Sequence, residues 1–189
     1  VLEIIFTFLE RKAQEKMFFA EISEQKDQIL SSWFEEFLKA YPPEAANYFR
    51  DVDNCFGNPV GYTAYQSMLA ILDALLKAED PLSAVDDLIH IQASQGFPPS
   101  QALAFILALK DIASSNLSDA AYQSEEFQNF KAGVDNLLLK AFDKYLACRE
   151  KIYDLKVKEA TRQMQRILER WEASLAESGP APKEFDSKK

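Results

Sequence analysis

From about residue 125 to 177 the sequence holds one uninterrupted helical pattern, and no other feature limits so sharply what this chain can fold into. At roughly 1.5 Å per residue, such a helix is longer than one small domain can cover. Its far half is therefore expected to project or to pack against another chain. The apolar positions Leu138, Ala141, Tyr145, Cys148, Ile152 and Leu155 follow a seven-residue repeat, which resumes after a phase shift at Ala160, Met164, Ile167 and Trp171. Leu138, Tyr145, Ile152, Leu155, Met164, Ile167 and Trp171 are accordingly assigned to a homodimer seam.

Charge qualifies that reading. The chain carries a formal net charge of -9, yet residues 140 to 172 hold nine Lys/Arg against six Asp/Glu. Opposite charges three and four residues apart fit a solvated helix face, and a locally basic helix on an acidic protein also suits an acidic partner surface. Nucleic acid is not an expected partner, because its binders display a clustered basic face. The longest apolar runs, VLEIIFTFL and QALAFILAL, reach about half the length that a membrane span needs. No membrane span is expected, and without the cationic start of a secretory signal the chain reads as cytoplasmic.

The remainder is all-α by pattern, since helical spacing recurs while alternating strand signals are nearly absent. A helix over about 21 to 40 ends at Tyr41-Pro42-Pro43, and a short one over 43 to 50 follows. After the turn DNCFGNPVGY come helices at about 60 to 78 and 82 to 95. The next starts at Pro98 or Pro99 and is apolar nearly all round, as befits the middle of a bundle. SSNLSDAAYQS reads as a polar connection. Residues 1 to 16, upstream of the first methionine, Met17, are either an N-terminal extension or a genuine extra helix and receive no function. The domain proper is placed at 17 to 160, a helical extension at 161 to 178, and a Gly/Pro-led charged tail, expected to be disordered, at 179 to 189.

Chemistry is sparse. Phosphate-binding glycine loops, H-E-x-x-H and G-x-S-x-G are missing, so no catalytic, metal or cofactor residue is assigned and an enzyme is not expected. Cys55 and Cys148 belong to no ligand spacing and are expected to be small buried hydrophobes, with a redox-sensing thiol as the alternative. His90, the single histidine, falls off the apolar stripe of its helix and should lie partly exposed beside Asp86. Haem would require an axial ligand inside an apolar pocket, and His90 points the wrong way for that role.

FGNPVGYTAYQSMLAILDALL at 56 to 76, VDDLIHIQASQGFPPSQALAFILALKDI at 85 to 112 and AFDKYLACREKIYDLKVKE at 141 to 159 resemble the N-terminal domain of RsbRD-type co-antagonists of RsbT. The resemblance covers roughly 22 to 160. It implies a globin-like fold without haem, dimerisation, and a sensory role in bacterial stressosome signalling, with a regulatory protein as partner. The family's last helix normally leads to a STAS domain, which these 189 residues do not include. The family pattern has arginines where His90 and Gln92 stand, an acidic residue at Gly96, and Ser or Thr at Pro98. With Pro98 the hydroxyl cap is lost, Pro99 keeps the first helical position, and Gln101 is expected to keep the return contact of a capping box.

These readings converge on a non-catalytic, globin-like all-α signalling domain. A small-ligand or haem-like cofactor carrier is the second reading. The motif residues Asn58, Pro59, Val60 and Gly61, with Phe97, Pro99, Ser100 and Gln101, are assigned to a sensory turn. Phe97→Ala should disturb the partner response more than His90→Ala.

Overall fold

A computed structural model describes residues 12, 13 and 16–177. Residues 16–24 are helical, and the labelled helices follow as α1 (Lys26–Leu38), α2 (Pro43–Phe49), α3 (Pro59–Leu76), α4 (Leu82–Gln95), α5 (Pro99–Ser115), α6 (Asp119–Tyr122) and α7 (Glu125–Glu177). Among the described residues there is no strand. The fold is all-α, a globin-like helical bundle with a long C-terminal helix. The helix expected over 21 to 40 is interrupted at Gln25, an irregularity bridged by Gln25 N–H to Glu21 O and Ile29 N–H to Gln25 O. The extension at 1 to 16 and the tail at 179 to 189 lie almost wholly outside the described residues.

Proline starts three helices at the position where a missing N–H costs nothing: Pro43, Pro59 and Pro99 each stand in the first turn. Gly96, at φ 79°, closes α4 in the left-handed region that a side chain disfavours. The end of α3 uses Ala78, at φ 54°, for the same purpose. Glu79 N–H to Ala74 O and Ala78 N–H to Leu75 O complete the paired bonds of that stop. In the supposed polar connection, Ser118 accepts the Ala121 N–H and starts the one-turn helix α6, a local cap that apolar periodicity cannot reveal.

Helix α5 packs on α1 and α4, and α4 on α3. Trp33, Phe37, Ile71, Leu72, Leu88, Ile106 and Leu109 are buried at this centre, each large apolar side chain contributing ~1.5–3 kcal/mol by leaving water. Trp33 Nε1 donates to Phe105 O at 2.7 Å, which satisfies the buried indole while it packs on the Phe105 ring. Although α5 reads as apolar all round, it is covered on one side only: Ala104 and Leu107 are exposed. The expected mid-bundle position is corrected to a flank.

The chain divides into two compact units, one ending at Arg149 and one beginning at Glu150. In the first, Phe127, Phe130, Val134, Leu137, Ala141 and Tyr145 of α7 are buried. In the second, the helical residues 150 to 176 are exposed throughout, with Ile152 alone half-buried.

Candidate functional site

The two assigned motif segments meet through an aromatic cluster in the first unit. Asn58 is buried as the N-cap of α3, where its side-chain oxygen accepts the Gly61 N–H at 2.9 Å. Its amide nitrogen faces the carbonyl oxygens of Tyr48, Phe49 and Asp51 at 3.1, 3.0 and 2.9 Å. One side chain thus satisfies orphan groups at the end of α2 and the start of α3. Pro59 fills the first turn, Val60 is half-buried beside it, and Gly61 leaves room for the Phe49 carbonyl, into which a Cβ would press.

From Phe49 the contact passes to Tyr41, whose ring lies edge-on to Phe49 at 5.0 Å and to Phe97 at 5.3 Å. Burial pushes the Tyr41 phenol well above its ordinary range. Phe97 begins the second segment. Gln101 does not return to its own helix cap; its Nε2 donates to Ala40 O at 3.0 Å, because Pro98 has no N–H to offer. The capping-box expectation is corrected to a tie between the start of α5 and the end of α1.

Helix α7 grips the same turn from the other side. Tyr145 is buried and donates its hydroxyl to Phe97 O, and Arg149 Nη1 donates to Ala93 O at 3.1 Å. Tyr145, assigned to an outer seam, is therefore occupied inside the first unit. Leu138 is half-buried and lines, with Pro99, Ser100, Leu103, Leu107 and Phe142, an apolar groove of about 330 Å³ between α5 and α7.

The other seam residues divide by position. Leu155, Met164, Ile167 and Trp171 are exposed and Ile152 is half-buried. Within the second unit the exposed apolar residues Tyr153, Val157, Ala160, Met164, Ile167 and Trp171 alternate at spacings of four and three. By sequence spacing Leu139 and Leu146 stand two heptads and one heptad before Tyr153, and both are exposed in the first unit. The apparent phase shift at Ala160 has a physical cause. Ala141, Tyr145 and Cys148 belong to the stripe that the first unit's own core covers, and the heptad positions of the stripe that continues to Trp171 stand one and two residues later in the repeat.

His90 is exposed, but its partner is not Asp86. Lys144 Nζ lies 2.6 Å from Asp86, while His90 Nδ1 stands 3.4 Å from Cys148 Sγ. Cys148 is buried, whereas Cys55 is exposed, in the turn before Asn58, which corrects the expectation for that thiol. The groove between α5 and α7 and a second cavity at the start of α7 contain no His, Cys, Met or Tyr among their lining residues, so neither offers a usual haem ligand. Among the described residues no three His, Cys, Asp or Glu side chains gather to hold a metal, and no helix is long and apolar enough to cross a membrane.

An uncharacterised protein of Archaeoglobus fulgidus is 33% identical over 84 residues, 44% of this chain and 54% of the relative, so the match spans about half of that protein's length. No solved structure matches. The family model of the RsbT co-antagonist protein rsbRD N-terminal domain matches residues 27–160, from α1 into the second unit, and the chain belongs to that family.

Proposed function

We propose that the chain is a non-catalytic signalling module that acts by protein–protein interaction and dimerises through α7. Membership in a family of regulatory N-terminal domains supports a signalling role. The observation that carries the interaction reading is the exposed 4–3 stripe of Tyr153, Val157, Ala160, Met164, Ile167 and Trp171. A helix with such a seam buries it most simply against a second copy, knobs into holes. Trp171, 62% exposed in one chain, is the largest anchor. The cluster joining Asn58, Tyr41, Phe97 and Tyr145 is the proposed sensory element, because it couples the ends of α1, α2 and α4 to α7. The downstream partner is a regulatory protein, in keeping with the family.

Light scattering after size exclusion tests the dimer. The chain should elute as a dimer, and Met164→Glu with Ile167→Glu should give a helical monomer. A wild-type monomer at micromolar concentration, or a double variant that stays dimeric, would sink the seam.

A further inference from the structure

Helices α4 and α7 meet at two rungs in the first unit. Asp86 and His90 stand one turn apart on α4, Lys144 and Cys148 stand one turn apart on α7, and each residue of one pair faces its counterpart in the other. The first rung is the ion pair of Lys144 with Asp86, at 2.6 Å. The second joins a thiol to an imidazole: Cys148 Sγ lies 3.4 Å from His90 Nδ1, within reach of a hydrogen bond to sulfur. The ion pair keeps the two helices in the register that brings these side chains together.

Two features separate this thiol from an inert core cysteine. First, a proton acceptor lies at the sulfur itself. The thiolate is the nucleophile, and a base at hydrogen-bond distance can take the proton as the sulfur attacks. Second, the pair reaches the surface, because His90 is exposed and Cys148 keeps 9% of its own area in contact with solvent. Cys55 supplies the contrast: it is exposed in its turn, but the chain's one histidine stands at Cys148.

We propose that Cys148 and His90 form a thiol–imidazole pair that captures low-molecular-weight disulfides as a mixed disulfide on Cys148. His90, in the tautomer with Nδ1 unprotonated, accepts the thiol proton while Sγ attacks one sulfur of R–S–S–R. The bond from Cys148 to that sulfur forms as the R–S–S–R bond breaks, and the departing RS⁻ takes the proton from the imidazolium and leaves as RSH. One disulfide is consumed and one is made, so the small disulfide is the only oxidant required. Arg149, the next residue, donates to Ala93 O at 3.1 Å, so the adduct forms beside the grip of α7 on the turn at Gly96. If the sensory reading of that turn holds, thiolation is a redox input to it, but the exchange itself does not depend on that reading.

Reaction of the full chain with hydroxyethyl disulfide at neutral pH, followed by intact-mass spectrometry, tests this. In the Cys55→Ser protein, Cys148 should react about tenfold faster in the folded chain than in the same chain unfolded in urea, whereas burial of an inert thiol has the opposite effect. His90→Gln should remove that advantage and leave the rate in urea unchanged. If His90→Gln fails to fold by circular dichroism, His90→Asn takes its place. In the Cys148→Ser protein, Cys55 should show no gain on folding. A folded Cys148 that reacts no faster than in urea, or a folded rate indifferent to loss of the imidazole, would overturn the proposal. Hydrogen exchange at 93 to 98 separates the two ideas: an adduct that leaves exchange there unchanged defeats the redox input alone, and a folded chain that forms no adduct defeats the thiol chemistry alone.

Discussion

Asn58 accepts the main-chain N–H of Gly61 at 2.9 Å while its own amide donates to carbonyls at the end of α2, so one side chain ties two helices. Asn58→Ala should lower stability by about 2–3 kcal/mol, the loss of a cap plus carbonyls left unpaired in a buried place. Asn58→Asp keeps the cap but turns a carboxylate toward three carbonyls, and should be no better. Urea unfolding followed by circular dichroism checks both; an aspartate variant of wild-type stability would refute the donor role.

Tyr145 offers a test of which face of α7 is internal. Tyr145→Phe removes the hydroxyl that reaches Phe97 O and should cost about 1–2 kcal/mol without changing the oligomeric state. A seam residue would behave in the opposite way, with weaker association and little change in the stability of the first unit. Denaturation and light scattering on one preparation decide between these.

Gln92 is fully buried, and neither amide atom has a hydrogen-bond partner. Gln92→Met keeps the length of the side chain and removes both unpaired groups, so it should raise stability by about 1 kcal/mol or more. Thermal melts of the two proteins check this; a lower midpoint for the methionine variant would mean that the amide is satisfied in solution.

Glu35 and Arg50 form a two-pronged ion pair at 2.8 and 2.7 Å. The hydrogen bond from Arg50, helped by its charge and that of Lys39, holds the Glu35 carboxyl below its ordinary value of 4.5 against a smaller opposing effect of burial. A carboxyl whose folded pKa is depressed stabilises the fold above its unfolded value, and that contribution disappears as pH falls through the folded value. Arg50→Met should therefore be the less stable protein at neutral pH and converge with wild type in acid. Parallel urea titrations across that range check the sign, and a gap that widens in acid would contradict it. The gap should be small, because both side chains are nearly half exposed.

Helix identity was legible because its punctuation is local. Pro43, Pro59, Pro99 and Gly96 each act within a turn of where they stand, and the expected boundaries fall within a few residues of α2 to α5 and of α7. Which face of a helix is covered is not local. Leu138 and Leu139 each begin a seven-residue repeat, and periodicity has no means of telling the stripe against the first unit's core from the stripe in solvent. The same limit hid the uncovered flank of α5. The motif around Asn58 could be recognised as a pattern, but its use as a double tie depends on the approach of α2, which no spacing within 58 to 61 records.

The bonds from Tyr145 to Phe97 O and from Arg149 to Ala93 O end on the main chain at either side of Gly96. A grip on carbonyls is blind to the side chains that those residues carry. Substitutions at the exposed positions Ser94, Gln95 and Pro98 can therefore accumulate without loosening α7, provided that the backbone keeps its left-handed turn at Gly96. At these exposed positions the chain can vary while the long helix stays attached to the same two carbonyls.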